Sequence, residues 1–475
     1  MNIVIRIARK ECLEMLRDGR FRWAAGLVGA LLFVALLLGA QHYRAVKRQH
    51  ELAQAETRAQ WLKQPAKNPH SAAHYGIYAF KPKLLPALLD RGVDDYVGQA
   101  VWLEAHKQND FKYRPAQDAT AVQRFGELTA ATVLQLLMPL LIILLAFSAF
   151  AGEREQGTLR QLLSLGVSKT SLAWGKAAGV TAALGVLLIP ATLIGVLALA
   201  MSAESALLGA SLGRMAWMFA SYLLYFGIFI GVSLAVSARA SSSRLALVAL
   251  LACWILNGLI APRAVADLAK RVHPTPSAFA FQQTIDREMQ GGVDGHDSAD
   301  ERARELQQRT LKQYGVAKVE ALPINFTGIA LQAGEDHGNE VFDRQYGQLW
   351  RSFGQQDRFK QAAGIAAPML ALSSLSRGLA GTDFAQHQDF ANAAEQYRRL
   401  FIKAMNDYVL VNRTEQGATL IAQPALWSKV EAFDYEAPTT GWVLRNQRIS
   451  VVVLAFWFVV ACALTMVATR KMKVD

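Results

Sequence analysis

The sequence predicts a mainly α-helical, polytopic membrane protein. It has six transmembrane helices and a mainly helical extracytoplasmic domain built from two insertions. Three observations predict this. Of the 475 residues, 52% are hydrophobic, and they cluster in runs of about 20, the length that crosses a bilayer core. Basic residues, which give the net charge of +12, gather beside those runs, as cytoplasmic flanks do. No nucleic-acid partner is therefore expected. Two long hydrophilic stretches, 42–126 and 264–445, interrupt the series of apolar runs.

Residues 1–22 set Ile3, Ile5, Ile7, Cys12, Leu13 and Leu16 against Arg6, Arg9, Lys10, Arg17 and Arg20. This is an amphipathic, basic helix lying on the membrane surface. A long charged helix ahead of the first apolar run is the wrong order for a cleaved signal peptide. The first span covers 23–41, and the basic residues before it put the N-terminus in the cytoplasm. Insertion 42–126 opens with a helical continuation, His42 to Gln64. Pro65, Pro69, Pro82 and Pro86 then impose turns and short elements.

The second span covers 127–151 and carries Pro139. The polar segment 152–176 follows and reads as a short surface helix punctuated by Gly157 and Gly166. Leu159, Leu162, Leu163 and Leu165 would form its apolar edge. Glu153, Arg154, Glu155, Arg160 and Lys169 would offer charge on the other side. Such a helix is either an interfacial anchor or the place where a soluble partner presses. The third span is 177–201 with Pro190 inside it, the fourth 215–236 and the fifth 245–261. An outer turn, 202–213, and a basic inner turn, Arg239 to Arg244, join them.

Helical periodicity in 264–445 covers Phe281–Met289, Ala299–Tyr314, Asn339–Ala363 and Asp383–Val411. The Gly-rich loop Gly291–Gly295 separates the first two, and Pro368 with Ser373–Ser376 marks a break before the last. The sixth span is 447–468, and 469–475 is a basic cytoplasmic tail. Both termini are thus expected in the cytoplasm, with the two insertions in the periplasm or outside the cell. Neither insertion contains one of the three cysteines, so ordinary packing must hold them. The first is small for a core of its own. Its apolar residues between Tyr75 and Trp102 are expected to pack on the second insertion. There Phe342, Tyr346, Leu349, Trp350 and Phe353 make a helical stripe.

Candidate chemistry is sparse. His70 and His74 stand four apart, and His106 follows later. Imidazoles at that spacing on a helix bind Zn or Cu, or bond to backbone in a structural role. No phosphate-binding Gly-x-x-x-x-Gly-Lys-Ser/Thr loop and no Gly-x-Ser-x-Gly elbow occurs. The chain is expected to hold no catalytic residues and no cofactor. Within the spans, Gln135, Ser148, Tyr222, Tyr225, Ser233 and Asn257 either line a substrate path or bond across helices.

The order Glu153, Glu155, Gly157, Thr158, Leu159, Leu162, Leu163, Ser168, Lys169, Gly175, Lys176 resembles the signature of ABC-2 type permeases, with Arg154 inside the same coupling segment. That resemblance implies that 152–176 is the coupling helix, docking into a separate ABC ATPase subunit. ATP and Mg2+ would be bound there and not by this chain. The opening Ile-Ala-Arg-Lys-Glu, followed by Leu-Arg-Asp, resembles the family's elbow helix. The runs 68–76 and 102–109 resemble a subgroup with large extracytoplasmic insertions, the DUF3526-containing permeases. The resemblance implies a dimer, of two copies or with a paralogous permease, in the bacterial inner membrane. An exporter is then expected, with a periplasmic partner as an option. The alternatives are a mechanotransmitter that moves no cargo itself and a receptor without an ATPase.

Overall fold

The computed structural model describes residues 3–118, 128–200, 205–291, 299–413 and 419–473. The expected Gly-rich loop beyond Gly291 and the first residues of the outer turn, with Glu204, lie outside them. Among the described residues six helices are long and apolar enough to cross a membrane: Gly19–Leu62, Ala130–Glu155, Lys169–Leu193, Ser211–Arg239, Ser243–Val272 and Arg448–Arg470.

The opening helix, Ile3–Arg17, precedes the first span, and Asp18 caps the junction by accepting from the Arg20 amide. It lies along the third span with Gly175 and Gly179 between them. A Cβ on Gly175 would come within 2.5 Å of Ile7, and one on Gly179 within 2.6 Å of Glu11. Gly227 and Gly231 do the same for the last helix, where added Cβ atoms would meet Phe458 at 2.5 Å and Ala461 at 3.0 Å. Both pairs have the small-xxx-small spacing by which membrane helices approach closely.

The helix of the first span, at 44 residues, is about twice the length that a bilayer core needs. It continues as one helix to Leu62, as expected from His42 to Gln64, and carries Trp61 into the domain beyond. There the first insertion folds into a short helix, Pro69–Tyr75, and a small antiparallel sheet that the sequence reading lacked. Its strands are β1 (Ile77–Phe80), β2 (Ala100–Glu104) and β3 (Lys107–Gln108), in the order β1-β2-β3. The second insertion supplies helices Ala278–Gly291, Ala299–Tyr314, Phe326–Ala362 and Phe384–Val411.

The two insertions share a hydrophobic core, as expected. Trp61, Ala72, Ala73, Ile77 and Ala105 pack with Phe401, Ile402, Met405 and Trp427. Ala79, Val101 and Leu103 pack with Phe390, Ala394 and Phe433. The covering helix is Phe384–Val411, however, not the expected stripe. In that stripe Phe342 packs against Ile285, while Tyr346, Leu349, Trp350 and Phe353 line a cavity of about 620 Å3. Val97, Val101 and Leu103 face them across it.

A second departure concerns Pro368 and the serine run. Instead of a break there is a buried helix, Pro368–Ala380. Its Ala371, Leu372, Leu375 and Leu379 join the core of the membrane bundle itself. The serines are tolerated because they find partners: Ser376 donates to Asp90 at 2.6 Å and lies 3.1 Å from the Tyr222 hydroxyl.

Candidate functional site

Segment 152–176 folds as two short helices around a glycine hinge. Ala151–Glu155 ends the second span, and Gly157, at φ 73°, turns the chain into Thr158–Ser164. Gly166, at φ 80°, ends that helix before Lys169 opens the third span. Leu159 is fully buried, and Leu162 and Leu163 pack beside it. Leu165 departs from the expected apolar edge and is 79% exposed.

The charged residues were expected to point outward, yet the contacts turn most of them inward. Glu153 accepts from Lys176 Nζ at 2.8 Å, and the same ammonium donates to Glu11 of the opening helix at 2.9 Å. Arg154 donates to the carbonyls of Ala238, Ala240 and Lys473. Glu155 accepts from the Ser243 amide at 2.8 Å and its hydroxyl at 2.7 Å. Lys169 donates to the Met472 carbonyl at 2.8 Å. Glu153, Lys176 and Glu11 form a side-chain ion triad, whereas Arg154, Lys169 and Glu155 bond backbone groups at helix ends, cations on carbonyls and the carboxylate on an amide. Thr158 donates to the Glu153 carbonyl, and Ser168 caps the third span through the Ser171 amide. Gln161, Ser164, Leu165 and Gly166 form the exposed outer edge. A groove of about 580 Å3 runs between that edge and the opening helix. Exposure was not readable from spacing, which is why Gln161 was missed.

At the other end of the bundle the three histidines come together. Their ligand-capable nitrogens lie within 4.8 Å of one another. Asn68 caps helix Pro69–Tyr75 through the amides of His70 and Ser71, which puts His70 and His74 on one face. The sheet register, Ile77 opposite Leu103, carries β2 back beside that helix, and the Ala105 amide bonds the Ala73 carbonyl. His106 then turns with φ 65°. Its Nδ1 lies 2.8 Å from Glu335, and its amide donates to the same oxygen at 2.7 Å. His70 Nε2 and His106 Nε2 are 3.0 Å apart, and His70 Nδ1 faces Asn406 Oδ1 at 3.3 Å. Burial, then the neighbouring His106, holds His70 and His74 below the ordinary imidazole range. Burial opposes ionisation of Glu335, but its bonds to His106 and Arg398 outweigh that and keep its carboxyl below the usual range.

Within the bundle, Gln135 donates to Tyr222, Asn257 donates to Tyr225, and Tyr225 donates to the Gln135 carbonyl. These four polar residues bond across helices. Ser233 is buried and its hydroxyl has no partner.

A family model described as ABC-2 family transporter protein matches residues 5–313. The chain belongs to the ABC-2 transporter family. In this ABC-2 permease the match runs from the opening helix through the first five spans and into the second insertion. A second model, a domain of unknown function (DUF3526), matches residues 278–436, which include the stripe, the buried helix and helix Phe384–Val411. Over 131 residues the permease is 38% identical to "Probable ABC transporter permease protein NosY" from Pseudomonas aeruginosa. That stretch covers 26% of this chain and 45% of the relative, so the chain matches less than half of that protein's length.

Proposed function

We propose that this permease is the membrane subunit of an ATP-driven exporter, coupled to a separate ATPase chain that binds ATP and Mg2+. The ATPase docks on the exposed edge of Thr158–Ser164 and in the groove beside the opening helix. The termini then lie in the cytoplasm and the two insertions on the opposite side, in the periplasm. Two copies, or this chain and a paralogous permease, form the working dimer.

The observation that carries this reading is the internal bracing of the hinge. Glu153, Arg154, Glu155, Lys169 and Lys176 tie the short helix to the opening helix, the ends of the fourth and last spans and the start of the fifth. A push on the exposed edge therefore moves several helix ends together. The coupling residues identified from sequence act as braces, and the contact is made by Gln161, Ser164 and Leu165. A second reading, a mechanotransmitter that drives a periplasmic partner, is favoured by Pro368–Ala380. That helix fills the outer end of the bundle and belongs to the outer domain.

The test is copurification of an ABC ATPase subunit with the full-length chain from native membranes. Leu165→Asp should cut recovery at least tenfold with no change in thermal stability. Undiminished recovery refutes the docking edge, and no ATPase with the unaltered chain refutes the transporter reading. Transport into vesicles separates the exporter from the mechanotransmitter.

A further inference from the structure

We infer that His70, His74 and His106 form a binding site for one divalent transition-metal ion, of the zinc or copper class, in the outer domain. The inference stands independently of the transport reading.

The bonding partners of the rings fix where the protons sit. Glu335 accepts from the backbone amide of His106 and lies against its Nδ1. The amide and the ring nitrogen converge on one oxygen that serves both as acceptor, so Nδ1 of His106 carries the proton. His70 Nδ1 faces an amide oxygen, because the other end of the Asn406 amide donates to Gln332. These tautomers are assigned from the bonding partners. Both Nε2 atoms are then lone-pair acceptors, and they face each other at 3.0 Å. Two acceptors at that distance repel unless a cation lies between them. Nitrogens about 2.0–2.1 Å from a tetrahedral zinc stand roughly 3.3 Å apart, close to what is observed. His74 is exposed at the rim, and a small rotation brings it in as the third ligand.

The surroundings match those of a metal site. A ligating imidazole characteristically donates its other nitrogen to a carboxylate or carbonyl, which orients the ring and raises its basicity. His106 has Glu335 in that place and His70 has Asn406. Glu335 is in turn held by Arg398 at 3.0 Å, and Arg398 by Glu395 at 2.8 Å. Three neutral nitrogen donors and no thiolate select borderline ions such as Zn2+, Ni2+ or Cu2+ over Mg2+ and Ca2+. With three protein ligands and one rim exposed, the fourth position is left for water or an exchangeable ligand, unlike a closed structural site.

The ligands and their orienting residues come from helix Pro69–Tyr75, the β2–β3 turn, helix Phe326–Ala362 and helix Phe384–Val411. The ion would therefore clamp the first insertion onto the second, and metal should raise the domain's melting temperature.

The test uses the full-length protein in detergent, stripped with a chelator and then titrated with Zn2+ alone against a chromophoric competitor. One ion per chain is expected, and Co2+ in its place should give the visible absorption of a tetrahedral nitrogen site. His74→Ala should weaken Zn2+ binding at least tenfold and leave the metal-free melting temperature unchanged. His70→Ala/His106→Ala should abolish the site, and Glu335→Gln should weaken it about 10–100-fold through the lost orienting bond. If the double variant fails to fold, His74→Ala decides. The proposal is overturned by the absence of saturable one-to-one binding, or by affinity that His74→Ala leaves unchanged.

Discussion

Replacing Lys176 with methionine tests whether the hinge is braced internally. The side chain is 1% exposed, and its ammonium sits 2.9 Å from Glu11 and 2.8 Å from Glu153. Methionine keeps most of the volume and removes the charge. Two carboxylates are then left facing each other without their shared cation. Breaking a buried pair from one side costs about 3–5 kcal/mol. Lys10 lies 3.4 Å from Glu11 and 4.0 Å from Glu153 but is half exposed, so it offsets a fraction, which puts the cost near 3 kcal/mol. At roughly 2 °C per kcal/mol for a large chain, the melting temperature should fall by about 6 °C. The assay is thermal unfolding of the purified full-length protein, run as a double-mutant cycle with Glu11→Gln. The pair should be non-additive by about 1–2 kcal/mol, because removing Glu11 also removes one of the two stranded charges. Additive effects, or an unchanged melting temperature for Lys176→Met, would refute the bracing.

Gly231→Leu should overpack the approach to Ala461, where even a Cβ falls at 3.0 Å, and cost about 1–3 kcal/mol in thermal unfolding. Gly157→Ala should cost only about 1 kcal/mol of backbone strain, because φ is 73° but nothing lies within 4 Å of the added atom. A cysteine at the exposed Ser71 should react with an impermeant reagent in intact cells; labelling only after lysis would reverse the membrane orientation. Burial, with Lys81 next, pushes His387 down to about 3, and Asp94 and Arg114 also face it. The unfolded chain therefore binds the extra proton first, and this contribution is complete above about pH 6.5 and lost as the pH falls toward 3. At pH 5 that is about 2 kcal/mol, and His387→Leu should flatten the acid limb of the melting-temperature profile between pH 6.5 and 5.

The sequence carried what local pattern can carry. Apolar runs located the six spans, and periodicity found the helix Ala299–Tyr314 to the residue and Asp383–Val411 to within one. Gly157 and Gly166 marked both ends of the hinge helix because positive φ restricts residue choice. What depends on distant partners was not legible. Whether Glu153 faces a partner or Lys176 is decided by where the opening helix lies. Ile77–Phe80 and Ala100–Glu104 are too short to announce strands, and they exist because they pair with each other. The serine run looked like a break because its partners, Asp90 and Tyr222, are far away in the chain. The histidines fall between these cases. The i, i+4 pair was visible, but bringing His106 to it required the register of β1 on β2.

The fourth span is bonded at both ends of the molecule. Arg154 holds the last carbonyls of helix Ser205–Arg239 from the hinge side. Arg214, buried near its other end, donates to Gln386 at 2.9 Å and to the Pro438 carbonyl, both in the second insertion. Between Arg214 and Arg239 the helix is uninterrupted, a rod of about 38 Å at 1.5 Å per residue. Gly227 and Gly231 press the last helix against it along the way, and Arg239 donates to the Lys471 carbonyl at the hinge end. Gln386 also donates to the Gly378 carbonyl and to Asp383, so the bonds at Arg214 continue into the domain of the second insertion. Movement of the hinge should therefore reach helix Phe384–Val411, and through it Arg398, Glu335 and the histidines, without a change in the fold of either end.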